Sequence, residues 1–320
     1  MNLLVMKPSG EMPIDRAWKV QLRNWRRLVD GCACKASRRQ VHALRVVTLR
    51  LLAYELEPRD SARKAFAERA ARDWNRETTR MRRALGGVRE LDVFRARVAN
   101  LREGLEMPDA SFHPVSRATL RSLNKLDQKF QERRQKAGKR LASWLAKKQA
   151  HLLELSLELE ASMCVTPQVD TEGSLAAEIA ALVEDSSSLD ANNLHALRKR
   201  VKRLRYITEA AGGDRPAARR VLQVLRTAQT AIGTWHDWEA LSKEARHNVS
   251  GRQAKEFLFP LLDELAEERL KLATESCERM QLRLRELARH WDQRPVHSMG
   301  RKMPVRRVEA TSSAAGARGT

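Results

Sequence analysis

No apolar run in this chain approaches the ~20 residues that a membrane-crossing helix requires. The opening stretch Met1–Met6 is short for the apolar centre of a secretion signal, and no basic segment precedes it. No signal peptide is expected. Cysteine is scarce, with only Cys32, Cys34, Cys164 and Cys277 among 320 residues. A secreted scaffold would carry a denser set, so a soluble protein of the reducing cytoplasm is expected. Cys32-Ala33-Cys34 would make half a zinc site, yet no second Cys/His pair stands at zinc spacing; two thiols in a loop are expected. Aromatics make up 5% and Tyr numbers 2, which leaves little of the material strands favour. Neither a phosphate-cradling GxxxxGK[ST] nor a zinc-protease HExxH occurs. Acid is in short supply too. Asp and Glu total 40 against 61 Lys and Arg, a net charge of +21. Such an excess attracts polyanions at long range: nucleic acid, polyphosphate or an anionic membrane surface.

What remains is helical periodicity. Asp15 is placed to cap a helix carrying Trp18, Leu22, Trp25, Leu28 and Val29 on one face, with a turn over Gly31–Ala36. Ser37 and Gln40 have capping-box spacing and would start a helix to about Glu57, ended by Pro58. Asp60 or Ser61 caps the next, with Phe66, Ala70, Trp74 and Met81 inward, as far as Leu85. Gly86-Gly87 predicts a break, with helix resuming to about Leu101. Residues 104–114 read as a linker, and Val115–Met163 as one long helix that Gly138 would bend. Ser174–Glu184 is a short helix. The next is capped by Asn192 or Asn193 and stopped by Gly212-Gly213. Pro216 opens a helix broken at Gly233, Asp237–His247 forms another, and Arg252–Trp291 is the last. No segment alternates convincingly as a strand. The expectation is an all-α protein of two similar helical bundles. Its parts would be an arm over 1–14, a first repeat over 15–163, a connection over 164–173, a second repeat over 174–293, and a disordered basic tail over 294–320.

The stretch Leu194–Glu209 concentrates the charge, with six Lys or Arg in sixteen residues. At about 100° per residue, His195, Arg198, Lys202 and Arg205 fall within roughly 80° of arc. Leu194, Leu197, Val201 and Leu204 fill an adjacent arc. One flank can enter a core while the other presents cations in a row. A solvated face would mix acids among the bases, but the row meets none until Glu209. Arg offers a planar fork that fits two phosphate oxygens, and Lys a point charge. Repeating cations on a rigid rod match a repeating anion. Nearby phosphates would favour the protonated form of a His in that row.

An earlier stretch echoes this one. With His42 laid on His195, the residues Ala43, Leu44, Arg45, Arg50 and Leu51 meet Ala196, Leu197, Arg198, Arg203 and Leu204. Ala84–Asp92 likewise corresponds to Ala231–Glu239. The chain reads as a duplication. In His-Ala-Leu-Arg-Val, in His-Ala-Leu-Arg-Lys with Lys-Arg-Leu-Arg-Tyr and Glu209, and in the two Gly segments followed by Arg89-Glu90 and His236-Asp237, it resembles the CHAD domain family over about residues 15–293.

The resemblance implies two four-helix-bundle-like repeats related by pseudo-two-fold symmetry, with the two His-bearing helices lining a central basic channel. It also implies non-catalytic binding of inorganic polyphosphate. In this sequence the residues that would hold it are His42, Arg45, Arg50, Arg38 and Arg89 from the first half. From the second half they are His195, Arg198, Lys199, Lys202, Arg203, Arg205 and Tyr206. Glu209 would orient a neighbouring cation. The acids at 90 and 237 would cap a resuming helix. The family's first half often repeats basic residues seven, eight and ten positions after its His, where this chain has Leu49, Arg50 and Leu52. An unequal channel follows, with Arg80, Arg83, Arg219 and Arg226 as candidates to compensate. No cofactor and no metal site are expected: His42 and His195 would ligate a dication only across the halves, amid cations that repel it. The Glu-x-Glu-x-Lys strand of the triphosphate-tunnel domains sometimes fused to this family is missing, and no carboxylate is evidently paired with a His. The chain is therefore expected not to be an enzyme. Two other readings fit the charge. One is non-specific nucleic-acid binding, helped by Arg301, Lys302, Arg306 and Arg307 of the tail, although few aromatics are available for stacking on bases. The other is an organiser of polyphosphate granules.

Overall fold

Apolar residues recurring every three or four positions become buried helix faces. The computed structural model describes residues 13–54, 56–106, 117–165, 171–184, 189–210 and 216–292. Eight α-helices fill most of them: α1 (Pro13–Cys34), α2 (Arg38–Leu51), α3 (Lys64–Glu106), α4 (Arg117–Ser162), α5 (Thr171–Glu184), α6 (Ala191–Ala210), α7 (Pro216–Asn248) and α8 (Phe259–Asp292). The fold is all-α. The basic tail, Gly212-Gly213 and nearly all of the N-terminal arm lie outside the described residues, as does much of the 104–114 linker.

Several expectations need correction. Gly86-Gly87 and Gly233 do not break their helices; α3 and α7 run straight through them. A glycine inside a helix costs only about 1 kcal/mol, and α3 packs along α4 while α7 packs along α8. The acids Glu90 and Asp237 are therefore mid-helix residues and not caps. α4 runs as one helix through Gly138, as the long periodic stretch predicted. α1 continues past Gly31, so Cys32 and Cys34 are helical, and burial pushes the Cys32 thiol up to about 11. Asp15 lies in the first turn of α1 and does not cap it. Its carboxylate takes the Val165 N–H at 3.3 Å and pairs with Arg59 and Lys19, each at 3.2 Å. Phe66 is 54% exposed; Ala67, Ala70, Trp74 and Met81 form the inner face.

α2 ends at Leu51 and not near Glu57. The chain beyond it forms a short strand β1 (Leu56–Pro58), antiparallel to β2 (Met163–Val165), with Leu56 opposite Val165 and Pro58 opposite Met163. This pair ties the segment after α2 to the end of α4. Its three-residue strands are too short to show alternation. Before α8 comes a π-helical turn, Ala254–Leu258. Pro260 lacks the N–H that a regular helix would use there, and a π turn absorbs the lost bond.

Three cores hold the helices. The first joins α1, α2, the opening part of α3 and the closing part of α4 around Trp18, Trp25 and Trp74. The second joins α5, α6, the opening part of α7 and the closing part of α8 around Trp235. The third is built from the remaining ends: Phe94 of α3, Phe130 of α4, Trp238 of α7 and Leu262 of α8. It draws on segments from both sides of residues 164–173. Arg97–Asp237 at 3.2 Å and Arg133–Glu244 at 2.7 Å cross the same boundary.

Candidate functional site

α2 begins where Ser37 accepts the Gln40 N–H at 3.3 Å and donates to the Gln40 side chain at 2.7 Å. Ser37 is the cap that the spacing predicted, but the return bond of a capping box is not made: the Ser37 N–H goes to the Lys35 carbonyl at 2.8 Å. Val41, Leu44, Val47 and Leu51 are buried on one face. Arg45 beside them is half-buried, and His42 and Arg38 are exposed. α6 starts one residue before the expected caps: Asp190 accepts the N–H groups of Asn192 and Asn193, both at 2.9 Å. Its buried face is Leu194, Leu197, Val201 and Leu204. His195, Arg198, Lys202 and Arg205 emerge half-buried along the adjacent arc, while Lys199 and Arg203 are exposed.

The two rows act on each other. Burial first, then the fields of Arg198, Arg89 and Arg82, hold Arg45 below the ordinary arginine value. Burial, then Arg45, Arg198, Arg205 and Arg82, push Lys202 down to about 8. Although much of its ring is exposed, partial desolvation first, then Arg89, Arg45 and Arg38, lower His42. Arg89 is lowered by burial and by Arg38, against Asp237 and Asp92. Cations from α2, α3 and α6 thus converge. Among the described residues Arg38, His42, Arg45, Arg82, Arg89, Arg198, Lys199 and Lys202 form no ion pair. The Nε of Arg198 is buried with no hydrogen-bond partner.

Other predicted residues are engaged. Glu209 gathers Arg50 of α2 at 3.2 Å, Arg205 at 3.7 Å and Arg226 of α7 at 3.4 Å. It does orient neighbouring cations, and it bridges α2 and α6. Arg203 reaches Glu178 at 3.8 Å. Tyr206 is 6% exposed, with the Arg205 guanidinium 4.7 Å over its ring and its hydroxyl raised by burial. Its place is in the packing beneath the cations.

α3 supplies what the α2 motif lacks, and it does so with Arg82 and Arg89. Arg80 is tied to Glu77 at 2.8 Å, and Arg226 to Glu209. Gly86 explains part of the geometry. A Cβ there would sit 3.0 Å from the Arg45 Nη1, so the bare backbone admits that guanidinium against α3. Arg82 stands four residues before Gly86, one helical turn away. That spacing was a readable signal.

His195 is set apart from the row. Its ring lies 4.9 Å from Trp235 and 4.9 Å, edge-on, from His236. Its Nε2 is 3.4 Å from Glu239 Oε2. The absence of any evident His–carboxylate pairing, expected from the sequence, is corrected here. Burial lowers His236, helped by Arg198 and His195 and opposed by Asp237 and Glu239. Glu239 is raised by burial but lowered more by Lys243 and the two histidines. His236 and Glu239 were visible as an i, i+3 pair; their meeting with His195 needed the packing of α6 on α7.

No described helix is long and apolar enough to cross a membrane. The family model for the CHAD domain matches residues 16–246. No curated protein and no solved structure matches the chain.

Proposed function

The chain belongs to the CHAD domain family, and on that premise we propose that it binds inorganic polyphosphate without catalysis, in a basic channel between α2 and α6. One observation carries the reading: Arg45, Arg82, Arg89, Arg198 and Lys202 converge from three helices with no acid paired to any of them. Holding like charges together at a half-buried place raises the free energy of the empty protein. A polyanion removes that cost and adds charge-assisted hydrogen bonds. In this reading Arg38, His42, Arg45, Arg89, Arg198, Lys199 and Lys202 touch phosphate. Arg50 and Arg205, held by Glu209, and Arg203 shape the rim. Tyr206 supports the floor. His195, beside Glu239, closes one end.

The ligand carries no bases in this account. The aromatic residues nearest the cations, Tyr206 and Trp235, are buried and offer no platform for stacking. Long-chain polyphosphate should therefore displace duplex DNA at equal phosphate concentration, and both should weaken steeply as salt is added. If duplex DNA displaces polyphosphate instead, the chain is a nucleic-acid binder and the reading is wrong. Organisation of granules would follow from the same binding.

A further inference from the structure

We propose, on the basis of the channel reading, that the outer face of α4 is a second binding surface for a linear phosphate polymer, so that one molecule joins two polymer strands. Lys125, Lys129, Lys136, Arg140 and Lys147 fall within roughly 60° of arc on α4 and span about 33 Å along it. All of them are exposed, and exposed Lys139 flanks them. Among the described residues Lys125, Lys136, Lys139, Arg140 and Lys147 form no ion pair. Lys129 donates to the carbonyl of Asn248. A merely solvated face would mix acids among these bases. Here Glu132 is the one acid on that side, and no acid follows it until Glu154.

The row stands apart from the channel. α4 meets α3 through Asp127 and Arg134, which pair with Arg95 at 2.8 Å and with Asp92 at 2.9 Å. Both lie on the side of α4 opposite the row. α3 carries Arg82 and Arg89 of the channel on a further side. A polymer segment in the channel therefore has to pass around α3 to touch the row, whereas a second strand reaches it directly. The form of the row suits a single-file polymer. The backbones of a duplex wind with a turn of about 34 Å, so they cross a straight row at only a few points, while a flexible strand can follow every cation. Between residues 121 and 151 the arc of the row holds no large apolar side chain to enter a bilayer. The compact, hydrated charge of lysine suits loose contacts that leave the polymer able to exchange.

In the test, a short, size-defined polyphosphate tethered to beads by one end loads the full chain through its channel. Fluorescent long-chain polyphosphate is then added, and the wild-type chain should retain it. Lys136→Glu with Arg140→Glu should load equally and retain at least about tenfold less, since two phosphate contacts become repulsions. Lys125→Gln with Lys147→Gln, toward the two ends of the row, should lower retention as well. Lys136→Arg with Arg140→Lys keeps the charge and should retain the label as the parent does. Thermal melts of each variant establish that it is folded. Added salt should release the label before it releases the protein, because exposed charges are screened more than half-buried ones. A chain that loads but retains nothing, or a charge-reversed variant that retains as much as the parent, overturns the bridge and leaves the channel intact. Labelled duplex DNA retained better than polyphosphate overturns it too. A chain that never loads defeats the channel and the bridge together.

Discussion

Lys202 registers the crowding of charge most directly. An ordinary lysine titrates near 10.5, and here burial and four arginines bring it to about 8. Between those values the unfolded chain keeps a proton that the folded chain has released, so stability rises with pH across that window. Below pH 8 both states hold the proton and the folded state bears the full cost of burying that charge, desolvation first and repulsion by the arginines second, roughly 3 kcal/mol for a shift of this size. Lys202→Gln should therefore raise the melting temperature at pH 7. The same change should weaken polyphosphate binding by about tenfold, the worth of one charge-assisted hydrogen bond. A bound polyanion favours the ammonium, so binding at pH 9 should take up a proton. Calorimetry in buffers of different ionisation enthalpy measures that uptake, and a zero value would place Lys202 away from the ligand. The charge of this residue was legible in its spacing from His195. Its altered titration was not, because two of the four arginines, Arg45 and Arg82, come from other helices.

At the scale of a single element, α3 shows how a local rule is overridden. Two adjacent glycines read as a break, since each costs helix stability. The packing of α3 along α4 outweighs that cost, and the helix continues for 43 residues. Gly86 has a different use, leaving room for the Arg45 guanidinium. Gly87 meets nothing within 4 Å. Alanine at either position should stabilise the protein by up to about 1 kcal/mol. Gly86→Ala alone should then lower polyphosphate affinity, because it pushes Arg45 aside. Melting curves paired with titrations of the two variants decide this; equal affinities would remove Gly86 from the site.

Across the whole molecule, Glu209 links what the cores keep separate. α2 belongs to the first core and α6 to the second, and Arg50–Glu209 joins them at 3.2 Å. Glu209 also engages Arg205 and Arg226. Removing its charge would leave three guanidinium groups facing one another. Glu209→Gln should cost about 1–3 kcal/mol, between the values of exposed and buried ion pairs. Urea unfolding of that variant tests the figure. Added polyphosphate should restore part of the loss, since a ligand that binds only the folded state stabilises it. A variant as stable as the parent would show that the bridge is incidental.

The sequence alone determined that the chain is helical, where α2 begins, where α6 begins to within two or three residues, and which of their residues are core and which are cation. Periodicity and capping are local, so neighbours in the chain suffice to specify them. Tertiary structure decided the rest. It kept α3 and α7 whole across their glycines and paired β1 with β2. It brought Arg82 and Arg89 to Arg45 and Arg198, and it set Glu239 between His195 and His236. Each of these depends on side chains far apart in sequence, whose meeting is set by how helices pack against one another.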